Sequence, residues 1–496
     1  MRAGYFILCF FPAIALSQPQ FNNSYEISGE SEILSNVIIE GNYYYTAGAY
    51  AYGSYSKPFV LQLDLNGDTI KTWKFGNDSL IYYTGFKTFF KEDSAFVFFG
   101  SVQDTSRKPY AGKIDLNGDT LWTSADWNML NGAFMGGIRL NDGYVFAGGV
   151  ETGTGSNLLD LIILKADTLG NIVWQKIIAG PDDEVAYSVD TTADNGLICA
   201  GYQDNPTMSW NIYVIKTDSV GNVSSGWPKV FSSTDSDAGW VKTCKNGEYI
   251  VWGGWESGSG NEKAHLRRLN QNGNTIWIKN FQNPGASAII DVFTDFIEIE
   301  NGDFVGIGSF YDSTISNPSG WMIRTDSLGN EKWRRKLQKR TNDNYLYGIT
   351  QTPDGGFAMS GNTFADGSGN TTDAWVIKVD SMGCLTPGCA VGVEEFGISG
   401  LEFQVYPNPN DGKFVVEIES VEWAAAGLPD CNQAGGRRQE EMRVLIFDIF
   451  GRVVYEKIVN RNSQKFEIDI SENASGIYFV NICSNAYSKT IKLVKE

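Results

Sequence analysis

The chain has 496 residues and carries 39 basic and 58 acidic side chains, which give a formal net charge of −19. Nucleic acid and anionic membrane surfaces are therefore poor candidates for its main partner, because both repel a net anion. Its length suggests two or three domains. The single histidine, His265, excludes a multi-histidine metal site and leaves one place for a Ser/His/Asp triad. The abundance of glycine and aromatic residues predicts an all-β protein of short strands and tight turns.

The first 17 residues have the pattern of a cleaved signal peptide. Arg2 precedes an apolar run from Tyr5 to Leu16, and small residues lead to an expected cut between Ser17 and Gln18. The run is shorter than the roughly 20 apolar residues that span a bilayer. No later segment approaches that length. The pattern therefore predicts an exported protein with no membrane span.

A motif recurs seven times in the middle of the chain. It consists of a basic residue or Gln, an apolar residue, an Asp in most copies, two further residues, Gly and then usually Trp. An apolar strand opened by a tight turn precedes each copy, so each unit of about 50 residues contains four strands. Four antiparallel strands per repeat are typical of one propeller blade. Residues 18–383 are therefore predicted to form a seven-bladed β-propeller. The marker glycines are Gly67, Gly118, Gly170, Gly221, Gly273, Gly329 and Gly383.

The seventh unit lacks an outermost strand after Gly383, whereas residues 21–28 are predicted to form a strand that lies before the first unit and belongs to none of the seven. We predict that this N-terminal strand completes the seventh blade and closes the ring, which removes an open sheet edge. The repeated Trp is expected to pack between blades, and the Asp and Gly are expected to shape the hairpin.

The spacing of Asp115, Gly118 and Trp122 is similar to the tryptophan-docking motif of quinoprotein dehydrogenase propellers. The resemblance implies the packing role but not the redox chemistry, since no cofactor pocket is evident in the sequence. More broadly, residues 21–383 resemble the secreted propeller repeats of Bacteroidetes proteins.

Residues 384–402 have the composition of a linker. Within it, Cys384 and Cys389 flank Pro387 and Gly388 and could form a disulfide in an oxidising compartment, whereas Cys199 and Cys244 lie in apolar strand patterns and are expected to be buried thiols. Beyond the linker, residues 403–496 contain six short alternating strands, which predict a small Ig-like β-sandwich.

This C-terminal segment resembles the type A sorting domain of the type IX secretion system. Five sequence elements occur in the expected order, and the stretch from Val421 to Glu441 is longer than the usual connection at that place. The resemblance implies Sec export, passage across the outer membrane through the type IX machinery, and a secreted or cell-surface location. The residues that carry the sorting motif are Tyr406, Pro407, Asn408, Pro409, Gly451, Gly476, Tyr478, Lys492 and Lys495.

Variable loops on one face of the propeller are the candidate binding site. Their acids offer the oxygen ligands that calcium takes, although no copy has a full metal-loop spacing and solvated loops are the plainer interpretation. Their aromatic side chains could stack on sugar rings, with packing at the rim as the plainer interpretation. The acids are Asp182, Asp183, Glu184, Asp235, Asp237 and Asp343, and the aromatic residues include Tyr52, Tyr55, Trp210 and Trp255.

Two functional classes follow from this pattern. The favoured interpretation is a non-catalytic module that binds a glycan or a protein at the cell surface. The alternative is an extracellular glycan-cleaving enzyme that uses carboxylates on the loop face, since paired acids need no histidine; two carboxyl groups about 5 to 9 Å apart in a cleft would favour it.

Overall fold

The structure is a computed structural model. It divides into two compact units, Met1–Leu385 and Thr386–Glu496. No helix among its described residues is long and apolar enough to cross a membrane. The residues that the structure describes are 18–152, 159–180, 182–204, 210–231, 238–254, 264–281, 291–312, 317–365, 371–386, 401–421, 441–448, 453–460, 465–483 and 488–496.

The first unit is a seven-bladed β-propeller, as its repeats predict, and each blade is a four-stranded antiparallel sheet. A single parallel bridge between Ser56 and Ile81 also joins the sheets of blades 1 and 2. Blade 1 contains β2 (Glu32–Glu40), β3 (Tyr43–Tyr52), β4 (Tyr55–Leu63) and β5 (Thr69–Lys74). Blade 2 contains β6 (Ile81–Glu92), β7 (Ala95–Gln103), β8 (Arg107–Asp115) and β9 (Thr120–Thr123). Blade 3 contains β10 (Gly132–Leu140), β11 (Gly143–Glu151), β12 (Leu159–Asp167) and β13 (Ile172–Ile178).

The remaining blades repeat this order. Blade 4 contains β14 (Glu184–Thr191), β15 (Leu197–Asp204), β16 (Trp210–Thr217) and β17 (Lys229–Phe231). Blade 5 contains β18 (Gly239–Thr243), β19 (Tyr249–Gly253), β20 (Ala264–Leu269) and β21 (Thr275–Phe281). Blade 6 contains β22 (Asp291–Glu298), β23 (Phe304–Asp312), β24 (Asn317–Thr325) and β25 (Glu331–Leu337). Blade 7 contains β26 (Asn344–Gln351), β27 (Phe357–Phe364), β28 (Thr372–Val379) and the N-terminal β1 (Phe21–Tyr25).

Strand β1 is the outermost strand of blade 7. It runs antiparallel to β28, with Phe21 opposite Lys378 and Tyr25 opposite Ala374. The strand ends at Tyr25, because Ile27 and Ser28 turn away to donate their backbone N–H groups to the Glu32 carboxylate, at 3.2 and 2.7 Å. The chain thus joins its beginning to its last propeller blade within one sheet.

The Trp of the repeat docks on the glycine of the next blade. A Cβ placed on Gly221 of blade 4 would lie 2.8 Å from the Trp174 ring of blade 3, and one placed on Gly273 of blade 5 would lie 2.7 Å from the Trp227 ring. The outer strand of blade 7 has no Trp, and Phe21 takes that place on Gly67 of blade 1, at 2.6 Å. At each of these joints between blades, an aromatic ring therefore packs directly on the backbone of a glycine.

The other letters of the motif act within their own blade. Asp167 accepts the backbone N–H groups of Leu169 and Asn171, at 2.9 and 2.8 Å, and so fixes the turn in which Gly170 has φ of 85°. The basic residue pairs with an acid on the first hairpin, as Lys165 does with Asp142 at 2.7 Å. Each letter recurs because each has a local task in every blade.

The second unit is a β-sandwich of two antiparallel sheets. It has one strand more than the sequence pattern predicts, because residues 401–406, which end in Tyr406 of the sorting motif, form an additional strand. Val416, Val444 and Val480 lie at its buried core. One sheet contains β29 (Leu401–Tyr406), β30 (Lys413–Val421) and β33 (Lys465–Asp469), and the other contains β31 (Glu441–Asp448), β32 (Val453–Asn460), β34 (Gly476–Cys483) and β35 (Ser488–Lys495).

The cysteines that the structure describes in the propeller unit differ in oxidation state. Cys199 and Cys244 are free and buried, as predicted. Cys384 is disulfide-bonded, and the proposed partner Cys389 lies outside the described residues.

Gly221→Ala should destabilise the propeller more than Gly226→Ala. Both glycines have positive φ, 82° and 81°, so both substitutions carry a backbone cost of about 1–2 kcal/mol. Only Gly221 lies under a ring, whereas nothing approaches Gly226 within 4 Å. The overlap should add about 1–3 kcal/mol. Denaturant unfolding of the two variants measures the difference, and equal losses would contradict the docking role.

Candidate functional site

The two faces of the propeller carry different connections. The face that we call the turn face holds the tight hairpins and the marker turns. The other, which we call the linker face, holds the connections between second and third strands and the links from blade to blade. The predicted binding residues of the propeller that the structure describes belong to this linker face. Asp235, Asp237 and Trp255 lie outside the described residues.

The acids at the start of blade 4 hold the linker face together. Asp183 accepts the backbone N–H of Leu159 at 2.6 Å, which ties blade 4 to blade 3. Glu184 is buried and accepts a hydrogen bond from the Gln203 amide at 2.8 Å, while its second oxygen has no partner. Burial raises the pKa of Glu184, and the nearby Asp160 and Asp182 raise it further. The carboxylate oxygens of Asp183 and Glu184 therefore bind other groups of the protein.

Equivalent positions in other blades show the same task performed by other side chains. Glu32 begins the first strand of blade 1, is buried, and accepts the N–H of Ser28 at 2.7 Å. Asn344 begins blade 7, is equally buried, and accepts the N–H groups of Lys339 and Arg340 at 3.0 and 3.2 Å. A neutral amide thus holds a blade link as a carboxylate does. An acid at this position is not by itself a sign of ligand binding.

Asp343 stands apart from the acids of blade 4. It precedes the first strand of blade 7 and accepts the Tyr345 hydroxyl at 3.2 Å. Within the described part of the chain, no group of three or more carboxylate, thiol or imidazole side chains is arranged to hold a metal ion.

A groove of about 410 Å³ opens on the linker face between blades 2, 3 and 4. One wall is apolar and consists of Met135, Leu159 and Val185, which continue into the cluster that contains Tyr202 and Trp210. Trp210 stacks on Tyr202 with ring centroids 4.4 Å apart, so it supports this wall. The predicted residues Trp210, Asp183 and Glu184 do not line the groove but adjoin residues that do. Trp210 packs in the same cluster, Asp183 bonds to the backbone of Leu159, and Glu184 precedes Val185.

The polar residues of the groove are Arg107, Asn131 and Glu151. Asn131 donates its amide to Glu151 Oε2 at 3.0 Å. Arg107 lies over the Tyr83 ring at 4.4 Å and donates Nε to Ser101 Oγ at 2.7 Å. Among the described residues its guanidinium forms no ion pair, unlike the basic residues of the marker motif. Arg107 is not among the residues predicted from the sequence; its signal there is a cation in a loop where the repeat places none.

Tyrosines lie exposed beside the groove. Tyr52 and Tyr55, which pair across the second hairpin of blade 1, are 49% and 41% exposed, and Tyr83 is 37% exposed. The Ser56 hydroxyl bonds to the backbone of Tyr82 at 2.6 and 3.1 Å, which places Tyr55 and Tyr83 each one residue from the same contact. Tyr50, on the strand that leads into this hairpin, is buried.

In the second unit, the sorting-motif residues clamp the last strand. Asn408 donates its amide to the Lys492 carbonyl at 2.7 Å and accepts the Val494 N–H at 2.8 Å. Lys495 is buried and donates to the Ser471 carbonyl at 2.7 Å, and the Tyr478 hydroxyl donates to the Ala474 carbonyl at 2.6 Å. The exposed side chains of the sorting motif are those of Pro407, Asn408, Pro409 and Lys492, whereas Tyr406 is half-buried. Gly476 has a positive φ of 155°, and Gly451 lies outside the described residues.

Residues 404–496 match the family model of the secretion system C-terminal sorting domain. This stretch is a type IX sorting domain, and the Bacteroidetes origin follows from it. The protein is therefore secreted by the type IX system to the cell surface or the extracellular space, which implies contact with that machinery. No curated protein matches the chain.

Solved structures similar to the chain are distant in sequence. A polysaccharide lyase of family PL25, an ulvan lyase bound to -[GlcA(1-4)Rha3S]-, is 11% identical with a TM-score of 0.46, covering 73% of this chain and 96% of the lyase. The β-propeller domain of the trilobed protease from Pyrococcus furiosus is 8% identical with a TM-score of 0.38, covering 72% and 96%. The acylaminoacyl peptidase of Pyrococcus horikoshii is 10% identical with a TM-score of 0.39; the match covers 78% of this chain and only 57% of the peptidase.

Glu184→Gln and Glu92→Gln should change stability with opposite signs. The raised pKa of Glu184 means that the wild-type fold loses stability as pH rises from about 4.3, the unfolded value, through the folded value. The glutamine side chain does not ionise, so the variant does not lose this stability, and it also removes the repulsion between Glu184 and the nearby Asp160 and Asp182. Glu184→Gln should therefore unfold at higher denaturant than the wild type at about pH 7, with the gap closing near pH 4.

Glu92 provides the matched control. Burial alone would raise its pKa, but hydrogen bonds from Lys113 and Tyr144, at 2.7 and 2.5 Å, lower it overall. A lowered pKa stabilises the fold above the unfolded value, and this contribution is lost as pH falls through the folded value. Glu92→Gln should be less stable at about pH 7, by roughly 1.5–3 kcal/mol. Denaturant midpoints between about pH 4 and 8 measure both variants, and shifts of the same sign would contradict the assignment.

Proposed function

We propose that this secreted propeller is a non-catalytic binding module that holds an acidic saccharide in the groove between blades 2, 3 and 4. The observation that carries the proposal is Arg107, a guanidinium at a 410 Å³ groove with no ion pair among the described residues. Marker cations such as Lys165 and Arg324 pair with acids of their own blades. Arg107 is therefore available for an external anion.

The groove offers a contact for each part of an acidic sugar. The guanidinium fork suits a carboxylate or sulfate, which it can bind through two parallel hydrogen bonds. Glu151 and Asn131 provide an acceptor and a donor for ring hydroxyls. Met135, Leu159 and Val185 would pack on the apolar face of the ring. A volume of 410 Å³ falls in the range of small-molecule sites.

The exposed tyrosines extend the same surface. Tyr52, Tyr55 and Tyr83 offer flat rings on which further sugar units of a chain can stack. Tyr83 lies under the Arg107 guanidinium, at 4.4 Å, so the stacking surface and the anion site share a residue. This arrangement supports an oligosaccharide as the ligand.

The arrangement of acids favours binding over cleavage. Hydrolysis of a glycosidic bond generally requires two carboxyl groups that face each other across the bond. Among the described residues that line the groove, Glu151 is the one carboxylate. The enzyme alternative is tested on the same sample, because cleavage would release new reducing ends or unsaturated products.

Arg107→Ala should weaken binding of a uronic-acid oligosaccharide by about 10-fold or more, the loss expected for one charged hydrogen-bonding contact. Lys108→Ala is the matched control: it removes the same charge from the adjacent residue, which does not line the groove. Calorimetry with the mature chain, against uronic-acid and neutral oligosaccharides of equal length, measures the change. Repeating it with calcium and with chelator tests the acidic loops separately.

Three outcomes would overturn the proposal. Equal affinity of the protein for the neutral and the uronic-acid oligosaccharide would show that the anionic group does not contribute to binding. Equal losses of affinity in Arg107→Ala and Lys108→Ala would show that net charge, and not a contact in the groove, causes the effect. Absence of saccharide binding would redirect the search to a protein ligand.

A further inference from the structure

Six blades pair the basic residue of the marker motif with an acid on the first hairpin. The distances between nitrogen and carboxylate oxygen are 2.6 to 3.1 Å. The pairs are Lys113–Glu92, Lys165–Asp142, Lys216–Asp194, Arg268–Glu248, Arg324–Asp303 and Lys378–Asp354.

Two of these acids are buried. The side chains of Asp303 and Asp354 are 5% exposed, whereas those of Asp142 and Asp194 are 68% and 64% exposed. A carboxylate removed from water requires strong compensation from cations and hydrogen bonds. Asp303 has a second cation, because Lys332 on the outer strand of blade 6 donates to both of its oxygens at 2.8 Å.

At Asp354 the place of the second cation is occupied by the backbone nitrogen of Gln18. This nitrogen donates to Asp354 Oδ2 at 2.8 Å, beside the fully buried Lys378 ammonium at 3.1 Å. Tyr44 of blade 1 holds the Gln18 side chain by donating to its Oε1 at 3.0 Å. Gln18 is therefore fixed by both blades that meet at the closure of the ring.

The position of Gln18 in blade 7 parallels that of Lys332 in blade 6. Lys332 immediately precedes Trp333, which docks on Gly383, and Gln18 precedes Phe21, which docks on Gly67. Both therefore enter an outermost strand just before its docking ring. The Lys332 ammonium is the second hydrogen-bond donor to the buried acid of blade 6, and the Gln18 backbone nitrogen is the second donor to the buried acid of blade 7.

We propose that the mature chain begins at Gln18 and that its α-ammonium group is the second cation of Asp354. Cleavage between Ser17 and Gln18 hydrolyses one peptide bond and turns an amide N–H, which carries no charge, into an ammonium at the same place. Removal of the leader then strengthens the closure of the ring. The inference rests on the leader pattern and is independent of the saccharide proposal.

The test compares a full chain that begins at Gln18 with one that carries Gly-Ser-Gly before Gln18. The chain that begins at Gln18 should unfold at higher denaturant than the extended chain at about pH 7. An α-amino group has an unfolded pKa of about 7.7–8.0, and a buried carboxylate raises it in the fold. Its contribution is thus complete below about pH 7.7 and is lost as pH rises through the folded value, so the gap should close toward about pH 10.

Two variants show whether Asp354 carries this gap. Asp354→Asn should remove the difference between the two chains, whereas Asp142→Asn, at the exposed equivalent in blade 3, should leave it intact. If Asp354→Asn fails to fold because Lys378 loses its partner, the pH profiles of the two unsubstituted chains still decide. Parallel profiles would overturn the proposal. So would an intact mass lower by one ammonia, since a terminal lactam has no ammonium.

Discussion

The contact between an aromatic ring and a bare glycine backbone is the interaction on which the propeller depends. A single blade cannot bury its two apolar faces, so each blade is stable only between two neighbours. Trp174 on Gly221 and Trp277 on Gly329 show how the contact recurs, with the ring 2.8 Å from the place a Cβ would occupy. At the joint between blade 7 and blade 1 this contact is made by Phe21 of the N-terminal strand on Gly67. Closure of the ring therefore uses the same kind of contact as the other joints.

This dependence explains why the fold could be predicted from one sequence. Each letter of the motif answers a local requirement that returns in every blade: Asp167 fixes a turn, Gly170 accepts a ring, and Lys165 pairs with Asp142. Seven repetitions make such a pattern visible without an alignment. The sorting domain could be predicted for a related reason, because motif residues such as Asn408 and Lys495 hold local structure through hydrogen bonds to backbone groups.

The candidate site could not be predicted in the same way. Arg107, Asn131 and Val185 come from three blades, and none belongs to the repeated motif, so no spacing connects them. Charge alone does not identify a binding site, since the Asp183 carboxylate accepts a backbone N–H of blade 3 and Glu184 accepts the Gln203 amide within its own blade. Composition cannot distinguish an acid that binds a ligand from one that binds its own backbone. Only the neighbours of each side chain make that distinction.

A net charge of −19 opposes the binding of an anion, and the short range of electrostatic repulsion in salt reconciles it with the proposed ligand. Repulsion between exposed charges is screened beyond about 8 Å at physiological ionic strength. A long polyanion brings many charges within that range of many acids and is repelled. In the proposed complex a short acidic saccharide places one carboxylate or sulfate at Arg107 and brings few other charges within that range, while Asp183 and Glu184 accept hydrogen bonds from the protein. The net charge thus disfavours long polyelectrolytes and is compatible with a short acidic oligosaccharide as the proposed ligand.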